Sequence, residues 1–412
     1  MTLNEKCLSE KVIWLLVTFL FSSFIIFDTK SFISLILLAI TLIIFILDIC
    51  QTKSKIIFKI EAFHILILFF ALYCFVSALW GIRSGAAIQK GVTIVEILIC
   101  MSIIYMHYSK GNTVKPLVSA VMWAGYVVVI YAFIFYGLGT IKSIISAGER
   151  LGNSFANINS IGMLAAISII ITVYQIFYVK KKITIDNVLI VPCIVMVAAS
   201  GSRKALIMTV CGLVYIIITK YSTKNLIKNL FTWIGLGIIL FFLLCWASTL
   251  PMFEGVMSRM ESLTNLLKGT GGYDQSSWIR QQFIKIGMSQ FYLHPIKGIG
   301  INSSGAILAK LMRDDTYFHN NYVELLACGG IIGTIIYYNI YFYLIKEMLK
   351  NKHNKDVYYN FCVILIILLL FMDYANVTYF SKTQYFYFVI LFLEIQNLRK
   401  SSRNKMGVIN EK

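Results

Sequence analysis

A chain of 412 residues with 58% hydrophobic and 14% charged side chains, four prolines and a positive mean hydropathy is not a water-soluble globule built on one core. Its net charge of +18 comes without any folded basic module, which excludes nucleic acid as an expected partner. Nine cysteines, scattered singly and with no CxxC pair, argue against a disulfide framework or a zinc site and read as packing residues.

Apolar runs of about 17 to 25 residues, each long enough as a helix to cross about 30 Å of hydrocarbon, recur along the whole chain. About twelve are expected, near residues 12–27, 32–49, 62–81, 88–106, 117–137, 158–179, 188–199, 205–218, 230–250, 322–345, 358–374 and 385–398. The seventh, eighth and twelfth are the shortest. The first follows a charged head, Glu5 to Lys11, with no small-residue cleavage site after it, and reads as a retained anchor. The expected fold class is therefore all-α, a polytopic integral membrane protein of about 12 transmembrane helices with one large extracytoplasmic loop at about 251–321. Residues 1–137 form an N-terminal region of about five spans, and residues 138–412 hold the remainder with the loop.

Lysine and arginine concentrate in alternate connections: Lys53, Lys55 and Lys59; Lys110 and Lys115; Lys180 to Lys182; Lys220, Lys224 and Lys228; Lys346, Lys350, Lys352 and Lys355; and both tails. With the tails, that side carries 22 basic residues against 8 in the short connections opposite, which makes it the cytoplasmic side and puts both termini inside. The net charge is thus mainly a topology signal, with attraction to anionic membrane lipids as a by-product. Arginine is distributed differently. Of eight, Arg83, Arg150, Arg203, Arg259, Arg280 and Arg313 fall on the outer side. A topology signal needs only charge, whereas a guanidinium offers forked donors that match phosphate or carboxylate oxygens. Outward arginines point to an anionic ligand on that face; pairing with Glu149, Asp274, Asp314 or Asp315 is the alternative.

Three outer elements carry the polar residues. The first, Glu149-Arg-Leu-Gly-Asn-Ser-Phe-Ala-Asn-Ile-Asn159, is a turn-rich loop entering a helix whose first turn offers backbone N–H groups to an oxyanion. The second, Ser200-Gly-Ser-Arg-Lys204, is a tight turn whose arginine either snorkels to the interface or enters an outward cavity. The third is the long polar segment, ending at His319-Asn-Asn-Tyr-Val-Glu324, where Asn320 or Asn321 caps the next helix and Glu324 occupies its first turn. His64, His107 and His353 lie toward the inner face, which leaves His294 and His319 as outer groups able to exchange a proton near neutral pH. His294, before Pro295, suits a structural turn better than His319 does. Glu96 is the one plainly mid-span acid and reads more readily as a helix-to-helix hydrogen-bonding group than as a proton relay. No Walker motif, GxGxxG, DxD or HExxH pattern occurs, so neither a metal nor another cofactor is expected.

The order of Arg150 with Asn157 and Asn159, then Gly201-Ser-Arg203, then Arg280, His294-Pro-Ile-Lys-Gly-Ile-Gly300 and His319-Asn-Asn-Tyr-Val-Glu-Leu-Leu-Ala-Cys-Gly-Gly-Ile-Ile-Gly333 resembles the bacterial O-antigen ligase and polysaccharide polymerase superfamily. The resemblance covers about residues 140–345, and its last segment is the most specific part. It implies a membrane glycosyltransferase that takes a glycan from undecaprenyl diphosphate at the outer face of the bacterial cytoplasmic membrane and passes it to an acceptor sugar, inverting the anomeric centre without a metal. On that reading His319, Arg280 and Arg203 are catalytic, Arg150, Asn159, Arg259 and Tyr322 bind substrate, and a chain-length regulator is a further partner. The arginines suit the chemistry, because a departing diphosphate needs cationic donors. Polymerase and ligase share these motifs. Abundant Ile, Lys, Phe, Tyr and Asn suggest an AT-rich genome, a setting that favours a surface polysaccharide polymerase. A lipid-linked oligosaccharide flippase stays open, although internal repeats and broken helices around a midplane site are then expected.

Overall fold

A computed structural model describes residues 3–28, 30, 32–52, 59–147, 149–180, 182–221, 261, 265, 275–354 and 356–410. Every regular element among them is helical: α1 (Leu3–Ile26), α2 (Ile33–Thr52), α3 (Ala62–Ser77), α4 (Ser84–Tyr108), α5 (Lys115–Tyr136), α6 (Leu138–Ser146), α7 (Ile158–Tyr174), α8 (Ile190–Ala199), α9 (Arg203–Tyr221), α10 (Gln275–Leu293), α11 (Ser304–Met312), α12 (Asn321–Lys350), α13 (Tyr359–Ala375) and α14 (Lys382–Asn410). In lipid a helix satisfies its own backbone, which is why apolar runs of this length fold this way.

Six described helices are long and apolar enough to cross a membrane: α2, α4, α5, α7 with its π-helical extension to Lys180, α9 and α12. Three shorter apolar helices, Ala62–Ser77, Ile185–Ala199 and Tyr359–Ala375, occupy the third, seventh and eleventh expected runs. α1 and α14 occupy the first and twelfth, but both carry charges within their length, such as Glu10 and Lys11 in α1 and Glu394, Arg399 and Lys400 in α14. The ninth run, 230–250, lies outside the described residues. The chain is a multi-pass membrane protein, and the expected count of about twelve exceeds the six spans that stand out by length and composition.

The polar segment expected as a loop is largely helical where it is described. Apolar side chains at Ile279, Phe283, Ile286 and Phe291 among polar neighbours give α10 a mixed composition, and α11 follows after the His294 to Gly300 turn. The first part of the segment, with Arg259, lies outside the described residues.

The helices form two compact units, Met1–Ile13, Leu35–Lys115 and Gln275–Lys412 in one and Trp14–Ser34 and Pro116–Asp274 in the other. In the first, Phe63 stacks on Tyr105 (centroids 5.3 Å apart) and Phe70 meets Tyr337 at 5.0 Å, joining α3 to α4 and α12. Ion pairs sort to the two ends of this unit. Buried Asp48 meets His107 at 2.7 Å and Lys110 at 2.5 Å, and Arg399 meets Glu347 at 2.8 Å, at one end; Arg83 meets Asp315 at 2.7 Å at the other. In the second unit α7 is the most buried of the six long apolar helices, and small residues bring its neighbours close: Gly125 lies against Ser168, Gly162 against Ser200 and Gly212 against Ile170.

Candidate functional site

Glycines in the segments 294–300 and 329–333 resolve into a joint between a turn and a broken helix. α12 is non-helical at Gly330, where φ is 61° and ψ is −166°. A break in a membrane helix frees backbone groups that lipid cannot satisfy. The turn from His294 to Gly300 supplies the missing partners. Ile299 N donates to Ala327 O (3.0 Å), Gly300 N to Cys328 O (2.9 Å), Ile331 N to Pro295 O (2.8 Å) and Ile332 N to Ile296 O (3.2 Å). The Tyr73 hydroxyl donates to Gly329 O (2.5 Å), and the Thr334 hydroxyl to Gly330 O (2.7 Å), so the four carbonyls from 327 to 330 all accept hydrogen bonds. A Cβ at Gly330 would lie 2.5 Å from Ile296 C and 2.6 Å from Gly298 N, which explains why both segments carry glycine at their crossing.

Immediately before this joint the chain is held in unusual geometry. The non-glycine residues with positive φ among those described are Asn302 (61°), Arg313 (58°) and His319 (55°), all between α10 and α12. Asn320 caps α12 with its side-chain oxygen accepting from Val323 N (3.1 Å), in agreement with the reading of the sequence. The His319 ring, half-buried, stacks parallel on Phe283 (centroids 5.9 Å, interplanar 7°) and touches the exposed ring of Tyr317 at 4.4 Å. Phe283 belongs to α10. Gly287, one turn further along, lets α10 press against Val323 and Phe318, with Phe318 3.1 Å from the position of a Cβ there. Positions 280, 283 and 287 share one helix face. Half-buried Arg280 therefore stands on the α10 face that carries His319, one turn beyond the ring stack.

Two further contacts fix this segment. The Arg83 guanidinium meets Asp315 at 2.7 Å between α11 and His319, and holds that carboxyl below the usual carboxylate range. Arg83 N also donates to Ser303 Oγ (3.3 Å) at the start of α11. Tyr322 is turned to structural use: its hydroxyl donates to Leu370 O (2.9 Å) and its ring stacks on Tyr338 at 5.0 Å. Behind it, Asn321 Oδ1 accepts from Thr378 N and Tyr379 N, its amide donates to Tyr338 Oη (3.1 Å), and Tyr338 Oη donates to buried Asp373 (3.1 Å). Asp373 also accepts from the Thr378 hydroxyl. The sequence shows Asp373 only as an acid near a span end.

In the other unit, Leu151 N donates to Ala199 O (3.0 Å), tying the Arg150 loop to the end of α8 beside the Ser200 to Lys204 turn. Arg150 is exposed, and Arg203 is the half-buried first residue of α9. Asn157 caps α7 by accepting from Asn159 N (3.0 Å), and Ser202 Oγ accepts from Ala205 N (3.4 Å) in the first turn of α9. Two helix N-termini, each carrying partial positive charge, thus accompany Arg150 and Arg203. Among the described residues no three His, Cys, Asp or Glu side chains group as metal ligands would.

Residues 188–338 match the O-antigen ligase family. The matched stretch contains Arg203, Arg259, Arg280, His319 and Tyr322, while Arg150 and Asn159 lie ahead of it. The match supports the resemblance to the O-antigen ligase and polymerase superfamily, and with it a glycosyltransferase-like enzyme of polysaccharide biosynthesis whose substrate is a lipid-linked polysaccharide. A search of curated proteins found no match for the chain.

Proposed function

We propose that this protein is a surface polysaccharide polymerase, O-antigen-like or capsule-like, which joins glycan repeat units carried on undecaprenyl diphosphate at the outer face of the bacterial cytoplasmic membrane. The observation that supports glycosyl transfer, common to polymerase and ligase, is His319, within the family-matched stretch, stacked on the α10 face that bears Arg280; the choice of polymerase rests on the AT-rich composition. In the proposed step the acceptor sugar hydroxyl gives its proton to His319 as its oxygen attacks the anomeric carbon. The anomeric C–O bond breaks with its electron pair going to undecaprenyl diphosphate, whose charge Arg280 and Arg203 stabilise. Displacement of this kind inverts the anomeric centre and asks no metal of the protein. Arg150, Asn159, Arg259 and Tyr322 are proposed to bind substrate, with Tyr322 acting through its ring because its hydroxyl is engaged. About twelve spans, both termini in the cytoplasm and a chain-length regulator as partner complete the reading.

Transfer of finished glycan to lipid A core is the alternative within the same chemistry. A flippase is the less favoured alternative: α12 is broken at Gly330, as a transporter helix can be, but carbonyls 327 to 330 there each accept a protein hydrogen bond, the sequence has no convincing internal repeat, and its polar candidates gather on one face rather than at mid-membrane. The test is purified protein in lipid with an undecaprenyl-diphosphate-linked repeat unit, products being separated by size. A ladder that disappears in Arg280→Ala and His319→Ala supports the polymerase. Transfer only after a lipid A core acceptor is added makes it a ligase, and full activity in both variants removes the mechanism.

A further inference from the structure

Glu324 reads from the sequence as a first-turn acid complementing the α12 dipole. Its carboxylate does something more particular. The side chain is buried and turns back along the helix, where Oε1 accepts from Ser304 Oγ (2.7 Å) and Oε2 accepts from Phe318 N (3.0 Å). Cys328 Sγ approaches Oε1 at 3.6 Å from one turn further on. Phe318 is the residue before His319, and Ser304 opens α11.

The consequence is that both neighbours of His319 are tied down. Phe318 is held through its amide by Glu324, and Asn320 is held by its own cap on Val323. Between them His319 keeps φ at 55°, a conformation that a bulky residue adopts only where its surroundings over-determine it. Ser304 is in turn anchored, because Ser303 accepts from Arg83 N and Ile301 N donates to Ser77 Oγ (3.2 Å). A charge serving the helix dipole alone has no need of Ser304 or Phe318.

We infer that Glu324 is a positioning residue for His319, fixing through Phe318 and Ser304 the backbone that aims the imidazole at the acceptor hydroxyl. This rests on His319 being the group that receives the hydroxyl proton. Glu324 touches no reacting atom and acts on the turnover step through geometry.

Glu324→Ala, Glu324→Gln and Ser304→Ala are compared with His319→Ala in the ladder assay, with kcat and donor KM measured alongside thermal unfolding. A misplacement of about 1 Å costs about 100-fold in rate, so Glu324→Ala is expected to lower kcat by that order with donor KM nearly unchanged. Glu324→Gln is expected to restore most of it, because the amide oxygen still accepts from Phe318 N and the amide nitrogen donates to Ser304 Oγ. A charge-only role predicts instead that Gln performs no better than Ala. Ser304→Ala, which leaves the Phe318 contact in place, is expected to fold and to lose kcat modestly, and it carries the test if Glu324→Ala does not fold. Wild-type kcat in Glu324→Ala, equal loss in Gln and Ala, or an unchanged kcat in Ser304→Ala where Glu324→Ala fails to fold overturns the inference. Wild-type activity in His319→Ala overturns the underlying reading, whatever the Glu324 series does.

Discussion

Replacing Gly330 by alanine puts a methyl group where two backbones cross. The residue sits at φ 61° and ψ −166°, a region that only glycine occupies freely, and forcing another residue there costs about 1–3 kcal/mol. The new Cβ would lie 2.5 Å from Ile296 C and 2.6 Å from Gly298 N, atoms that belong to backbone and cannot rotate away. Overpacking of this kind adds about 1–3 kcal/mol. Together the two terms predict a loss of about 2–6 kcal/mol, and with an unfolding entropy that scales with chain length, about 1 °C per kcal/mol for a chain of this size, the unfolding midpoint falls by at least about 2 °C. The assay is thermal unfolding in lipid nanodiscs followed by tryptophan fluorescence. Gly85→Ala is the control, because that glycine is in α4 with nothing within 4 Å of a Cβ, and the substitution should be neutral or slightly stabilising. Gly298 makes the same crossing from the other segment, so the double variant should lose less than the sum of the singles. A Gly330→Ala midpoint equal to that of Gly85→Ala would refute the account of the joint.

Arg399 donates to buried Glu347 through Nε (3.0 Å) and to Tyr343 Oη (2.8 Å), so Arg399→Ala strands a carboxylate at the end of α12; since Arg399 itself is 38% exposed, about 1–3 kcal/mol of destabilisation is expected, below the range for fully buried pairs, and Arg399→Ala with Glu347→Gln should recover most of it on the same thermal assay. The exposed Arg83–Asp315 pair holds the Asp315 carboxyl below its ordinary range, so its contribution is present above the unfolded carboxylate value of about 4 and is lost as pH falls through the lower folded value. Wild type and Asp315→Asn should therefore differ slightly in unfolding midpoint at neutral pH and converge in acid, and high salt should remove the difference; a difference that grows on acidification would contradict the pairing.

The segment before α12 shows where the sequence is a sufficient guide and where it stops. Asn320 as cap, with Glu324 in the first turn, is legible because capping is a local pattern of four residues. The use of that acid is not legible, because its partners Ser304 and Phe318 are chosen by how α11 packs. Arg280 and His319 stand out as outward polar residues, but their shared face depends on Phe283 and Gly287, which carry no polar signal at all. That α10 is a helix within the stretch expected as a loop over 251–321 is not legible for a similar reason: a helix that packs on α12 outside the longest apolar runs has a mixed composition, and hydropathy alone cannot separate it from a connection.

Composition and apolar run length, acting alone, determine that this chain is a helical multi-pass membrane protein, because a bilayer leaves the backbone few other ways to satisfy its hydrogen bonds. Local order also places the helix entries and the family motif. Only the tertiary structure decides that Gly298 and Gly330 form one joint, that Tyr73 serves the broken turn, and that His319 is held at positive φ between two anchored neighbours. Those outcomes rest on hydrogen bonds and steric contacts between residues as many as 256 positions apart, and no periodicity in the chain encodes such a meeting.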